Sequence, residues 1–165
     1  MSELGKLYPD VLLDHHRAPR HSGRLPSPTH LADGHNPLCG DRVAVTLALG
    51  GGRVIDIRCE VKGCAICRAA GSMMAEAVVG RELGEVGALL SRFLSALAQP
   101  DAASSAPGDA DGAREASAAT ADPTGASEWG PLAALLEARR FPNRRRCASL
   151  SWEILERALA SPNGG

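Results

Sequence analysis

The chain has 165 residues, of which 44% are hydrophobic, 3% aromatic and 22% charged, with a formal net charge of −1. That length suffices for one domain with its own core, while the near-neutral balance gives no argument for a nucleic-acid or membrane partner. No run of about 18 apolar residues occurs, which excludes a transmembrane helix on length.

Met1-Ser2-Glu3-Leu4-Gly5-Lys6 lacks both the basic and the apolar region of a signal peptide. Five cysteines without an export signal point to a reducing, cytoplasmic setting, where thiols serve as metal ligands or reactive groups rather than in disulfides. Leu4, Leu7, Val11 and Leu12 fall at helical spacing and predict a helix over 4–16. An irregular basic stretch with Pro19, Gly23, Pro26 and Pro28 follows. All five histidines (His15, His16, His21, His30 and His35) lie in the first 35 residues. None forms a ligand motif with a cysteine, so they read as a solvated or partner-facing segment.

Two β-rich runs, 42–49 and 53–61, are joined by Gly50-Gly51-Gly52, which predicts a hairpin. In the second run Ile55, Ile57, Cys59 and Val61 alternate with Asp56, Arg58 and Glu60, so one face is expected in the core and the other in water. A helix is expected over 69–79 with Gly80 as its stop, then another carrying Leu83, Val86, Leu90, Phe93, Leu94 and Leu97. Residues 100–127 are rich in Ala, Ser, Gly and Asp without apolar periodicity and read as a flexible insertion. Helical patterns return over 131–140 and 151–160. The order predicts a single α+β domain, 1–165, with helices on one face of a small antiparallel sheet. With so few aromatic residues its core is expected to be thin and to rest on Leu, Val, Ile, Ala and Met.

The chemistry sits on the cysteines. In Asn36-Pro37-Leu38-Cys39-Gly40-Asp41 a thiol and a carboxylate flank a glycine in a tight loop, a setting for metal ligands rather than packing. Cys64 follows Gly63 where a strand gives way to a helix, and a helix N-terminus lowers a thiol's pKa. Cys147 stands just before the expected last helix, beside Arg139, Arg140, Arg144, Arg145 and Arg146. By base rate this cluster reads as a solvated basic surface; yet three thiolates and a carboxylate around Zn²⁺ would carry about −2 by ligand count, which nearby arginines would offset. A rival reading exists. Cys59-x4-Cys64-x2-Cys67 has the spacing of plant-type ferredoxins, which hold a [2Fe–2S] cluster. Strand alternation instead turns Cys59 into the core, and the ferredoxin reading leaves Cys39 and Asp41 without a role. Cys64-Ala65-Ile66-Cys67 is also a C-x-x-C, the spacing of a redox pair.

Tyr8 through Asp14-His15, Pro19-Arg20-His21-Ser22-Gly23, Asn36–Asp41, Gly63–Ile66, Ser72-Met73-Met74 and Arg146-Cys147-Ala148-Ser149-Leu150-Ser151-Trp152 together resemble the NifU-like iron–sulfur assembly proteins. That family includes the IscU scaffold and the SufU sulfurtransferases. The resemblance covers nearly the whole chain outside the insertion. It implies that Cys39, Cys64 and Cys147 match the family's metal or cluster cysteines and Asp41 its carboxylate. IscU-type members carry a histidine before the third cysteine, where this chain has Arg146. SufU-type members lack that histidine, carry an insertion in the same interval and bind zinc through three Cys and one Asp. Serine commonly occupies the position of Cys67, which leaves Cys67 and Arg146 as auxiliary candidates.

The implied activity is that of a zinc-dependent sulfur carrier in iron–sulfur cluster assembly. Cys39 would accept persulfide sulfur from a SufS-like cysteine desulfurase, and downstream iron–sulfur assembly proteins would receive it. In SufU-type complexes a desulfurase histidine replaces a ligand and frees a cysteine. The alternatives are a scaffold for transient [2Fe–2S] assembly and transfer, a ferredoxin-like electron carrier, and a purely structural zinc module.

Overall fold

The computed structural model describes residues 10–37, 40–99 and 129–162. The expected insertion at 100–127, the first turns of the N-terminal helix and Cys39 lie outside them. Helix α1, Asp10–Arg17, carries Asp10 in its first turn and Arg17 in its last, both complementing the helix dipole. Three antiparallel strands follow in the order β1 (His30–His35), β2 (Arg42–Gly50) and β3 (Arg53–Lys62). The two-residue turn between β2 and β3 is Gly51-Gly52, with φ +59° and +76°, the left-handed pair that a twisted hairpin of this length demands. Then come α2 (Ala65–Val78), α3 (Leu83–Ala98), a helical run at 130–140 that includes α4 (Ala133–Leu136), and α5 (Pro142–Leu159). Glu82 and Glu85 close a reciprocal capping box on α3.

The helices α2 and α5 pack on one face of the sheet, the face formed by Val43, Val45, Leu47, Val54, Ile57 and Cys59. Alanines at 69, 70 and 75 keep α2 slim, and Gly71 brings it closer still. A Cβ there would stand 2.7 Å from Val61 Cγ2 and 2.9 Å from Cys59 Sγ. The chain between α1 and β1 crosses the other face. It passes the free edge of β3, where Cys59 N–H donates to His21 O at 2.8 Å. It then lies over the sheet through Arg24 to Glu60 and through Leu25 N–H to Thr46 Oγ1, both near 2.9 Å or shorter.

Several expectations need correction. Strand β1 is not among the expected strands: His30-Leu31-Ala32-Asp33-Gly34-His35 has no β-branched residue, and pairing with β2 supplies what local propensity lacks. Ile55, expected in the core, is 60% exposed. The register slips between Ala48 and Leu49, so β3 carries one extra residue and Val54 turns inward instead. The last helix starts at Pro142, not near 151, with proline at its first position, so Cys147 lies inside α5 rather than before it. His15 is buried, not solvated. The core is not purely aliphatic either: Phe93 stacks on Trp152 at 4.4 Å and meets Trp129 edge-on at 5.8 Å. Three of the chain's five aromatic residues converge there, and each buries a large area.

Candidate metal centre

The loop from β1 to β2 is tied by its backbone. Gly40, at φ +77°, donates its N–H to Asn36 O at 2.7 Å, and Asn36 N–H donates to Asp41 O at 2.8 Å. Asp41 is thereby delivered, 4% exposed, to the end of the sheet's inner face. Its Oδ1 accepts the Cys64 backbone N–H at 3.2 Å. Gly63 makes this approach feasible, because a Cβ at that position would lie 2.5 Å from Asp41 Oδ1 and 2.7 Å from its Cγ. Any side chain at residue 63 therefore displaces the carboxylate.

Asp41 Oδ2 lies 3.3 Å from Cys147 Sγ and 3.6 Å from Cys64 Sγ. One donor atom from each of the three residues falls within 4.8 Å of the others. Each comes from a different element: the start of β2, the N-cap of α2, and the second turn of α5. Cys64 is exposed whereas Asp41 and Cys147 are buried, so the cluster has one open side.

The two sulfurs are not equivalent. Cys64 is held down to about 7, first by the hydrogen bond it receives from Cys147 and also by the N–H groups of Cys67 and Ile66 at the helix start; partial burial opposes them. Cys147 is pushed up, because it gives that hydrogen bond and is itself buried.

Of the remaining thiols, Cys59 faces the core at 4% exposure, and burial raises it to about 12. A ferredoxin-like cluster would require it as a ligand, and its sulfur is instead packed against Gly71 of α2. Cys67 is fully buried one turn behind Cys64. Burial pushes it up most, and the charges of Asp41 and Cys64 add to that. It is not part of the convergent group of three. Arg146 is exposed on α5, and among the described residues its guanidinium enters none of the cluster's hydrogen bonds. Neighbouring arginines are engaged locally: Arg145 Nη2 donates to Arg139 O at 3.0 Å, and Arg144 lies 4.9 Å over the Phe141 ring. Among the described residues no histidine joins the cluster. His15 belongs to a second buried network, in which its Nδ1 stands 2.7 Å from Ser72 Oγ, which also accepts the Arg20 N–H at 2.7 Å. The helical spacing of Leu12 and His15 carried that signal in the sequence.

Two thiols and a carboxylate, with one open side, form a donor set that suits Zn²⁺, which takes sulfur and oxygen ligands in a tetrahedron. The model for the NifU-like N terminal domain matches residues 7–120. The chain is 32% identical over 164 residues to the zinc-dependent sulfurtransferase SufU of Bacillus subtilis (strain 168), covering 99% of this chain and 97% of that protein. It is 30% identical over 159 residues to the iron–sulfur cluster assembly scaffold protein IscU of Streptococcus pyogenes serotype M1, covering 96% and 86%. Among solved structures, a putative iron–sulfur cluster assembly scaffold protein for the SUF system from Fervidobacterium islandicum AW-1 superposes with a TM-score of 0.72 at 21% identity, over 94% of this chain and 98% of that one. That likeness concerns the fold.

Proposed function

Because the chain belongs to the NifU-like N-terminal domain family, we propose that it serves iron–sulfur cluster assembly as a zinc-dependent sulfur carrier. It would take persulfide sulfur from a SufS-like cysteine desulfurase in the cytoplasm and hand it to downstream assembly proteins. The observation that carries this reading is the convergence of Asp41, Cys64 and Cys147 from three separate elements. The full-length similarity to a zinc-dependent sulfurtransferase supports it.

Asp41, Cys64 and Cys147 would hold the zinc with Cys39, which is assigned from the sequence alone. Zinc, when bound, would keep the sulfurs deprotonated near neutral pH. The chain's own residues do the rest. Asp41 fixes the geometry, because the Cys64 N–H and the gap left by Gly63 orient its carboxylate. The Cys39 thiolate attacks the outer sulfur of the desulfurase persulfide; the S–S bond of that persulfide breaks, and the desulfurase cysteine leaves as a thiolate. The new persulfide on Cys39 carries the sulfur onward.

The test joins metal analysis of the purified protein to a desulfurase assay with and without chelator. Stoichiometric zinc, stimulation lost on chelation, and stimulation abolished in Cys39→Ala are expected; full stimulation by Cys39→Ala would sink the reading. The scaffold for [2Fe–2S] assembly is the second reading, favoured by the similarity to an IscU scaffold over most of both chains. Anaerobic reconstitution giving a stable visible spectrum, with transfer to an apoprotein, would favour it over sulfur carriage.

A further inference from the structure

The outer face of the sheet carries an arrangement that stability does not explain. His35, Arg42 and Lys62 stand in one row across the three strands, His35 opposite Arg42 and Arg42 opposite Lys62. All three are exposed, and their neighbour Val43 turns to the other face. Like charges directly opposite one another weaken a sheet. None of the three forms an ion pair or side-chain hydrogen bond of its own among the described residues. The arginines near Cys147 contrast with them, since several are engaged locally.

The row floors a cleft of about 360 Å³, walled by Arg24 of the crossing segment and kept open by the small side chain of Ala44. That volume is at the small end of ligand pockets, roughly 300–1,000 Å³, with room for one or two acidic side chains and not for a folded element. Two acids line it. Glu60 is already paired with Arg24 at 2.8 Å, which leaves Asp33 against two fixed cations and an imidazole. The row lies close to the metal centre along the chain, although none of the three candidate ligands lines the cleft. Arg42 follows Asp41 directly, and Lys62 is separated from Cys64 only by Gly63.

We propose that this row is the docking site for an acidic segment of the protein that delivers sulfur, seating it beside the exposed Cys64. The proposal rests on the sulfur-carrier reading for the identity of its partner, and on charge complementarity for the site. Among the described residues Arg42 has no ion pair, and the acid nearest Lys62, Glu60, is already paired with Arg24, so a cleft sized for carboxylates carries excess positive charge and selects an acidic chain. The overall net charge of −1 disfavours nucleic acid. The competing explanation is that Arg42 and Lys62 only offset the negative charge of the metal centre.

The experiment uses the full chain loaded with zinc and a fluorescein-labelled hexaglutamate peptide, read by fluorescence anisotropy at low salt and at about 0.15 M ionic strength. The double variant Arg42→Glu, Lys62→Glu is expected to bind the peptide at least about tenfold more weakly with unchanged zinc content. A control that changes charge equally elsewhere, Arg53→Glu with Arg81→Glu, is expected to bind as the wild type does. Equal loss in both variants would mean general attraction and overturn the site; so would unchanged binding in the first. Zinc lost in parallel from the first variant would assign the row to the metal centre and overturn docking. Tighter binding of an RNA oligonucleotide than of the peptide, lost in the same variant, would give the row to nucleic acid instead. A SufS-type desulfurase assay on the same proteins separates the two readings. No stimulation by the wild type, with peptide binding as expected, removes the sulfur carrier and leaves the docking site. Equal stimulation by wild type and double variant, with peptide binding unaffected, does the reverse.

Discussion

At the N-terminus of α2, Asp41, Cys64 and Cys147 gather three ligand atoms, joined by long thiol hydrogen bonds and by the Cys64 N–H on Asp41 Oδ1. Two turns along the same helix, His15, Ser72 and the Arg20 N–H satisfy one another at 2.7 Å. The first cluster is poor as a hydrogen-bond network, because a thiol is a weak donor and acceptor, yet it offers soft ligands and one open side. The second is complete without help and closes α1 and its following loop onto α2. The second cluster is architecture, whereas the first presents the soft donors and the open side that a cation site requires.

The sharpest way to break this contrast is at Asp41. Asp41→Ala is expected to lower zinc affinity by at least about 10–100-fold, measured by competition with a chromogenic chelator, while Ser72→Ala leaves it unchanged. Gly63→Ala should act in the same direction while leaving the carboxylate in the chain, because its Cβ occupies the place of Asp41 Oδ1. Wild-type affinity in that variant would show that the loop yields freely. Next in size is thermal stability. Zinc held at a hundredfold above its Kd adds about 2.7 kcal/mol, so chelation should lower the Tm of the wild type and not that of Cys64→Ser with Cys147→Ser.

Ser72→Ala should cost about 1–3 kcal/mol in denaturant unfolding, since it leaves the His15 ring and the Arg20 N–H without their partner. The smallest effect is one of pH. Burial, and after it the charge of Arg20, lowers the pKa of His15, so the unfolded chain binds the extra proton more readily. Stability is therefore expected to fall as pH drops through the ordinary histidine value near 6.5, and His15→Gln should flatten that part of the profile. An unaltered slope would place the acid sensitivity elsewhere.

Much of the frame was legible in the sequence because it is local. The Gly51-Gly52 turn, the apolar stripe of α3 and the Cys64 N-cap each depend on a few neighbouring residues. The misreadings share the opposite cause. Ile55 and Val54 exchange faces because one extra residue in β3 shifts pairing with β2, and no pattern within β3 announces it. Strand β1 exists because β2 offers an edge. His15 looked solvated because its partner Ser72 lies 57 residues away. The need for glycine at 63 is not local either, because the Asp41 carboxylate, remote in sequence, fills the space its missing side chain leaves.

The sequence by itself determined the kind of chemistry. Thiols in glycine-bounded loops and at a helix start, with a carboxylate beside one of them, are metal-ligand types whatever the fold. Only the tertiary structure decided which of them meet. Asp41 and Cys147 stand 106 residues apart and come within 3.3 Å, whereas Cys67, three residues from Cys64, is turned into the core. The physical reason is that residue type and local spacing set what a side chain can do, while its neighbours across the fold are chosen by the packing of α2 and α5 against the sheet.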